Sequence, residues 1–394
     1  MIDVVKARAE TPGAEQVQHF NNAGAALMPD VVLNAIKDHL DLEATIGGYE
    51  AANQEIARDA HTYEAIAQMI NCKADEVAFV ENATAGWCGA FYGMAHTFKP
   101  GDRILTAQAE YGSNYIAYLQ VAERTGVQID VVPDDETGAL SLDALEQMID
   151  ERVKLVSITH VPTNGGLTNP AAGVGKITKA AGIPYLLDAC QSVGQMPIDV
   201  DELGCDMLTA TGRKYLRGPR GTGFMYVRPR MFDVFSPPVL DNHSATWTDR
   251  NSFEIRRDAK RFENWENYIA GRIALGVAVD YALSWGIADI YARNLHLAGL
   301  FRERLSEIPA VTVRDLGVSP GAIVTFTVDG IASTEIQQRM AQHKINVSHS
   351  TIFSTRLDME DRGLDAMVRA SLHYYNTEEE IDRFVRTLLT EIKS

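Results

Sequence analysis

Short β-rich apolar runs alternate with longer helical patterns through the first two thirds of the chain. The runs are VAFV (77–80), RILTAQ (103–108), IDVVP (129–133), LVSITHV (155–161), YLLDA (185–189), MLTAT (207–211) and GFMYV (223–227). Because most runs are apolar on both sides of the pleat, they are typical of buried strands in a mostly parallel sheet with crossover helices. The pattern predicts an α/β architecture with a large seven-stranded sheet.

The pattern changes after about residue 285. It predicts a long helix near 287–307, strands around 322–328 and 367–374, and a last helix. We therefore expect a smaller α+β domain over 285–394.

The remaining boundaries follow from the same change. The large domain is predicted over 17–284, and the N-terminal residues 1–16 are grouped with the small domain. The last helix opens with Thr377 and Glu380 at capping-box spacing, so the three consecutive glutamates there are interpreted as its solvated first turn.

Charge narrows the choice of ligands. The chain has 36 Lys+Arg against 53 Asp+Glu, a formal net charge of −17, which argues against nucleic acid or an anionic membrane as the main partner. The segment TGRKYLRGPRGTG (211–223) nevertheless carries four cations and no acid. This local basic cluster predicts a small anionic ligand.

Location and redox state are predicted from what the sequence lacks. The N-terminal residues have no apolar signal core, and no run approaches the ~18 apolar residues of a membrane span. The four cysteines have no metal-type CxxC spacing, and we see no metal site. We expect a cytoplasmic protein with reduced thiols.

Ligands of open α/β sheets bind at the carboxyl ends of the strands. After VAFV comes ENATAGW, in which Asn82 or Thr84 could cap a helix whose free N–H groups face a phosphate. An ordinary N-cap is the alternative interpretation. The segment lacks the GxGxxG that a nicotinamide oxidoreductase would need.

Two further strand ends carry titratable groups. Asp188 ends an apolar strand, where a carboxylate requires a cationic or protonated partner. Lys214 follows Arg213, and a neighbouring cation lowers a lysine pKa toward the neutral amine that forms a Schiff base. A surface lysine is the alternative.

Seven motifs occur in an order that resembles a known family. They are an early NNAG, a strand followed by AT, the pair Glu110–Tyr111, a THV segment, a strand ending in D-x-x-Q, TGRK, and a late RASLHYYNTEEEID. Together they resemble the class V aminotransferase family of fold-type I pyridoxal-phosphate (PLP) enzymes over nearly the whole chain. GRKYLRGPRGTG is similar to the isopenicillin-N-epimerase-like and hercynylcysteine-sulfoxide-lyase-like branches.

The resemblance implies roles for individual residues. Lys214 matches the lysine of the internal aldimine, and Asp188 matches the aspartate that keeps the pyridine nitrogen protonated. The other implied cofactor contacts are Thr84 and Ala85 at the phosphate turn, Thr211 at the same phosphate, Tyr111 as the ring-stacking aromatic, Gln191 and Thr163 near the phenolic oxygen, and Arg213.

Substrate contacts are implied in the same way. Arg369 matches the arginine that pairs with the substrate α-carboxylate, and Asn22 in NNAG is assigned to the substrate. Arg213 stands where relatives usually have histidine, which suggests a second acidic group on the substrate. Arg217 and Arg220 either add to that site or pair with acids across a subunit interface.

Two departures from the family pattern affect the expected chemistry. RFENWENY places Trp265 and Glu266 where relatives often have a Gly-Thr pair that reaches the neighbouring subunit's phosphate, which puts that contact in doubt. The stretch VSHSTIFSTRLDMEDRGL (347–364) contains no cysteine, whereas desulfurases use one there. This argues against a persulfide-forming desulfurase.

The resemblance therefore implies a PLP-dependent aminotransferase-like enzyme, a homodimer, that acts on an amino acid through an internal aldimine and a quinonoid. A C–S lyase or an amino-acid epimerase is the alternative. The non-enzymatic alternative is a PLP or amino-acid sensor, against which the joint presence of Lys214, Asp188 and Arg369 argues.

Overall fold

A computed structural model describes residues 2–393. Its strands are β1 (Gln18–His19), β2 (Val77–Val80), β3 (Arg103–Ala107), β4 (Gln128–Val132), β5 (Val153–Thr159), β6 (Tyr185–Asp188), β7 (Met207–Thr211), β8 (Gly223–Val227), β9 (Ala245–Asp249), β10 (Ser252–Ile255), β11 (Val311–Val313), β12 (Ile323–Val328), β13 (Ile345–Asn346), β14 (Ser348–Thr351) and β15 (Ala366–Ser371).

The α-helices follow the strands in a mostly alternating order. They are α1 (Val4–Ala9), α2 (Asn22–Ala25), α3 (Asp30–Ile46), α4 (Gly48–Gln54), α5 (Ile56–Ile70), α6 (Ala83–Ala95), α7 (Gly112–Thr125), α8 (Leu142–Met148), α9 (Ala171–Ala181), α10 (Val200–Leu203), α11 (Ile269–Trp285), α12 (Ile287–Ser306), α13 (Ser333–Gln342), α14 (Arg356–Asp361) and α15 (Glu378–Lys393).

The large sheet has seven strands in the order β2-β8-β7-β6-β5-β3-β4. β8 is antiparallel to both of its neighbours, and the other adjacent pairs are parallel. Helices cover both faces, so β2, β6, β7 and β8 are buried along their whole length. The predicted α/β class with a mostly parallel sheet is confirmed.

The C-terminal part forms a second layer. β11-β12-β15-β14 make an antiparallel four-stranded sheet. A separate apolar core packs around it, built largely from α12, α13 and α15.

The N-terminal segment touches both cores. Ile2 and Ala7 pack in the core of the large sheet, while Phe20 packs in the C-terminal core. β1 pairs in parallel with β13. The segment therefore ties the two halves together, and the division at 284/285 stays a prediction.

The predicted capping box opens α15. Thr377 Oγ1 accepts from the Glu380 N–H at 3.2 Å, and the Glu380 carboxylate accepts from the Thr377 N–H at 3.2 Å. The solvated interpretation of the glutamate run is corrected, because Glu380 is buried and bonds Arg8 at 2.9 Å. Glu378 is also paired, with Arg293.

Two further findings concern membrane-spanning helices and disulfide bonds. Within residues 2–393, no single helix is long and apolar enough to cross a membrane, although α11 and α12 meet both criteria as a pair bent by 76°. None of the four cysteines is in a disulfide.

Candidate active site

A pocket lies at the carboxyl ends of β5, β6 and β7, beside the first turn of α6 and the start of α7. It is lined by Asn82, Ala83, Thr84, Tyr111, Thr159, Val161, Thr163, Asp188, Cys190, Gln191, Thr211, Arg213 and Lys214. Eight residues assigned from the sequence, between Thr84 and Lys214, therefore come together although they are up to 130 positions apart.

The amino-terminal turn of α6 forms one wall. Its N-cap is Asn82, whose Oδ1 accepts from the Ala85 N–H at 2.9 Å. The first-turn N–H groups of Ala83 and Thr84 have no intrahelical acceptor, and with the helix dipole they favour an anion. The assignment of Ala85 to the phosphate stays a prediction: its N–H bonds the cap, and Ala83 is the alanine of this turn that lines the pocket.

Close packing fixes this turn against the sheet. A Cβ on Gly86 would lie 3.3 Å from Val80 and 3.4 Å from both Met225 and Thr209. A larger residue would push α6 off the strands, so the small residues of ATAG serve the placement of the helix.

Asp188 ends β6 with both carboxylate oxygens engaged. Oδ1 accepts from the Cys190 N–H at 2.9 Å, and Oδ2 accepts from Asn114 Nδ2 at 3.1 Å. Asp188 is 5% exposed. Both donors are neutral, so this buried carboxylate lacks an ion-pair partner among them and is suited to hold a protonated ligand nitrogen.

Lys214 lies in the turn that follows β7, with its side chain in the pocket. Burial lowers the pKa of its amine, and the charges of Arg213 and Arg369 lower it further, against the opposing effect of Cys190 and Asp188. A neutral amine is the form that attacks a carbonyl carbon or accepts a proton.

Arg213 also lines the pocket, as expected from the basic segment. Its Nη1 donates to the Gly24 carbonyl. Burial lowers its pKa, and the nearby Arg220 adds to the effect. Arg213 thus brings positive charge to the pocket wall, and Asp188 is the acid among the lining residues.

Arg369 on β15 reaches the pocket from the small sheet. Its Nη1 donates to Thr163 Oγ1 at 2.7 Å and to the Thr163 carbonyl at 3.2 Å, and its Nη2 donates to Asn21 Oδ1 at 3.4 Å. Its Nε is buried with no partner among the described residues. Burial lowers its pKa to about 10, because none of these partners is a carboxylate.

Gln191 and Thr163 are hydrogen-bonded neighbours in the wall of the pocket. Gln191 Nε2 donates to Thr163 Oγ1 at 3.3 Å and to the Ala23 carbonyl at 3.1 Å. Gln191 Oε1 is buried and unpartnered among residues 2–393. Two polar side chains are therefore aimed at the space where the sequence places a cofactor oxygen.

The substrate assignment of Asn22 is corrected. Its side chain is fully buried, where Nδ2 donates to the Ser371 carbonyl at 2.8 Å and Oδ1 accepts from Tyr375 at 2.5 Å. Its neighbour Asn21 contacts Arg369 instead. Asn22 joins the N-terminal segment to β15, and Asn21 takes its place beside the site.

Arg217 serves neither of the two roles proposed for it. It is 2% exposed and donates to Thr11 Oγ1 at 2.5 Å, the Leu27 carbonyl at 2.8 Å and Tyr374 at 2.6 Å. Its guanidinium also lies 4.5 Å from the Tyr375 ring centroid. The arginine is a structural link inside this chain, whereas Arg220 is exposed.

Several pocket residues were missed by sequence reasoning. Cys190 and Thr159 line the pocket, and the carboxylate of Glu110 lies behind it. The signal for Cys190 was its position inside D-x-x-Q. Burial raises the pKa of its thiol to about 12, with Asp188 adding to the rise, which makes it a poor nucleophile.

Comparison with known proteins identifies the family. The model of aminotransferase class V matches residues 18–384. The chain belongs to the class V aminotransferase family. Its expected PLP-dependent enzymatic character is confirmed, and pyridoxal phosphate is the family's cofactor.

Relatives from three organisms match over almost the whole chain. A probable cysteine desulfurase of Pyrococcus abyssi is 29% identical over 98% of this chain and 97% of its own length. One from Synechocystis is 29% identical over 95% of this chain and 91% of its own. The apo structure of a cysteine desulfurase from Thermococcus onnurineus NA1 has a TM-score of 0.92, 26% identity, and coverage of 100% and 99%.

The residues of this class V chain fit the cofactor. The open N–H groups of α6 and the hydroxyl of Thr211 suit a phosphate. Among residues 2–393, Asp188 has no cationic hydrogen-bond partner and Gln191 Oε1 is buried without a partner. The pKa of the Lys214 amine is lowered, which favours its neutral form. These groups together would hold the phosphate, the ring nitrogen and the aldehyde of PLP.

Proposed function

We propose that this class V enzyme acts on an α-amino acid with a second anionic group, and that it cleaves a carbon–sulfur bond. One observation carries the substrate class. Arg369 is partly buried with a buried, unpartnered Nε, has no acidic hydrogen-bond partner among residues 2–393, and lies near Lys214. A buried guanidinium of this kind favours a carboxylate, because an unpaired buried charge is costly.

PLP, when bound, supplies an electron sink that acidifies the α-carbon of an amino acid. The chain's own residues supply the rest. Arg369 would hold the α-carboxylate, and Lys214 would take the α-proton on its Nζ. Asp188 would keep a proton on the ring nitrogen, and Tyr111 would cover one face of the ring.

The relatives favour carbon–sulfur chemistry, since they are named cysteine desulfurases. In the described residues, Cys190 is the thiol that lines the pocket, and its raised pKa does not suit it to receive sulfur. Residues 347–364 contain no cysteine. We therefore favour β-elimination, in which the Cβ–S bond breaks and the sulfur leaves as a thiolate, and water then converts the remaining enamine to a keto acid and ammonia.

Arg213 supports the second anionic group. It replaces the family's usual histidine, lies in the pocket, and hydrogen-bonds a backbone carbonyl with no acid as a hydrogen-bond partner. A side-chain carboxylate or sulfinate on the substrate suits this position.

Amino-group transfer is the second candidate function. It needs the same Arg369, Lys214 and Asp188, and it requires no sulfur-accepting cysteine, which agrees with the thiols present. The two reactions differ in what becomes of the amino group. Elimination releases it as ammonia, whereas transfer leaves it on the cofactor as pyridoxamine phosphate.

The test is product identification by mass with holoenzyme and a panel of amino acids, including cysteine, cysteine sulfinate and aspartate. A keto acid with ammonia supports elimination, and a keto acid with pyridoxamine phosphate supports transfer. An inverted amino acid as the sole product would contradict both. Binding without turnover of any substrate would make the chain a sensor. Lys214→Ala is the inactive control.

A further inference from the structure

Glu110 is a buried carboxylate directly behind the pocket. It is 3% exposed, and it lies between the end of β3 and the start of α7. No Lys, Arg or His donates a hydrogen bond to it. Four neutral groups do: the Tyr111 N–H at 2.7 Å, Asn114 Nδ2 at 2.9 Å, Thr159 Oγ1 at 2.5 Å and Thr106 Oγ1 at 3.0 Å.

Asn114 joins this carboxylate to Asp188. The same Nδ2 atom lies 2.9 Å from Glu110 Oε1 and 3.1 Å from Asp188 Oδ2. An amide nitrogen has two hydrogens, so each carboxylate receives one of them. The orientation of Asn114 is therefore set by both acids at once, because its two amide hydrogens are donated to the two carboxylates.

We infer that Glu110 is a positioning residue for the cofactor site: through Asn114 it fixes Asp188 Oδ2, and through the Tyr111 N–H it fixes the N-cap of α7, which is the proposed ring-stacking residue. The inference rests on the proposed role of Asp188 toward the ring nitrogen. In this role Glu110 acts through its neighbours and does not itself contact a ligand.

The network tolerates a proton on Glu110 without losing the bridge. Oε1 receives three of the four hydrogen bonds, two of them from N–H groups that can only donate. Oε2 faces Thr106, whose hydroxyl can turn and accept. A proton can therefore reside on Oε2 while Asn114 stays in place.

The charge of Glu110 responds to its surroundings. Burial raises its pKa to about 7, the hydrogen bonds from Thr159 and Asn114 oppose the rise, and the nearby charge of Asp188 adds to it. The other titratable groups that face it are the phenols of Tyr118 and Tyr185, whose pKa values burial raises well above 10, so both stay neutral.

The test compares Glu110→Ala, Asn114→Ala and their double variant with the wild-type holoprotein. Two properties are measured, the dissociation constant of PLP and the pH dependence of its visible band. We expect each single variant to weaken PLP about tenfold, as loss of a hydrogen bond to a charged group does. The double variant should be no worse than the single ones, because both break one path.

Asp206→Asn is the matched control. Asp206 is 1% exposed and accepts from the Tyr185 N–H at 2.9 Å, but it lies at the opposite end of β7. It should lower stability and leave the bound cofactor's spectrum unchanged. If Glu110→Ala behaves like this control, or if its effect adds fully to that of Asn114→Ala, the inference is wrong.

A second readout uses the apo-protein and needs no cofactor. The pKa of Glu110 is higher in the folded protein than in the unfolded chain. Its contribution to stability is therefore fully present below about pH 4.5 and is lost as the pH rises through about 7. The stability difference between wild type and Glu110→Gln should shift across that window in the apo-protein. Failure of wild type to bind PLP would refute the proposed function, whereas a difference that does not vary with pH would refute the Glu110 network.

Discussion

Arg369 of the small sheet donates to Thr163 Oγ1 of the large one at 2.7 Å. This hydrogen bond brings the proposed carboxylate-binding cation over the cofactor pocket, because Thr163 follows β5 and Arg369 lies on β15. The two sheets therefore have to be packed together before the substrate site exists. Perturbing the Arg369 side of this contact should affect substrate binding more than cofactor binding.

Arg369→Gln should weaken every amino-acid substrate, since all carry an α-carboxylate. The lost charged hydrogen bond is worth about 1.5–3 kcal/mol, or roughly a 10- to 100-fold fall in kcat/KM. Steady-state kinetics on several amino acids checks this. Arg314→Gln is the control and should leave kcat/KM unchanged, because Arg314 directly follows β11 at the edge of the same sheet and bonds Thr327.

Arg213→Gln should erase the preference for substrates with a second anionic group. The preference expected in the wild type is about 1.5–3 kcal/mol over isosteric neutral substrates. The comparison to make is kcat/KM for S-carboxymethylcysteine against its isosteric side-chain amide. If the variant impairs both equally and also lowers PLP affinity, Arg213 belongs to the cofactor's phosphate and the acidic-substrate proposal fails.

Asp188→Asn should retain PLP but slow exchange of the substrate α-proton by at least about tenfold. A neutral amide no longer favours a protonated ring nitrogen, and its own N–H₂ would meet the donor Asn114 Nδ2. Proton exchange into deuterated water, followed by NMR, measures the rate. Wild-type exchange in the variant would remove Asp188 from this role.

Arg217→Met should destabilise the fold without a specific effect on substrate. The change leaves Thr11, the Leu27 carbonyl and Tyr374 without their donor, which we expect to cost about 2–4 kcal/mol of unfolding free energy. Denaturant unfolding of the apo-protein measures the loss. Arg220→Met, exposed and three residues away, should be close to wild type. Equal stability of the two variants would contradict the structural role of Arg217.

The seven strands of the large sheet were predictable because each is a short buried run that ends at a clear boundary. VAFV, MLTAT and GFMYV match β2, β7 and β8 residue for residue, and the other four runs agree within two residues at each end. Thr84, Asp188 and Lys214 could be found for the same reason, since the carboxyl ends of parallel strands converge. The other pocket residues came from the family resemblance: Tyr111, Thr163, Gln191 and Thr211. The hairpin β9–β10 gave no such signal, because its residues are mostly exposed.

The contacts that were missed join segments far apart in the chain. Arg217 looked like a ligand-binding cation because nothing local reveals that Thr11, Leu27 and Tyr374 surround it. Likewise Asn22 and Asn21 are adjacent and chemically identical, and the fold alone decides which one reaches Arg369. The bridge from Glu110 to Asp188 spans 78 positions and needed coordinates.

The central claim is that PLP is held at Lys214. Borohydride reduction of the holoprotein followed by peptide mass analysis tests it most directly, with Lys176→Ala as a control for an exposed lysine. The account predicts a pyridoxyl group on the peptide that contains Lys214, and its loss, together with the visible absorbance, in a folded Lys214→Ala protein. A pyridoxyl group on another lysine, or an unchanged absorption band in Lys214→Ala, would contradict it.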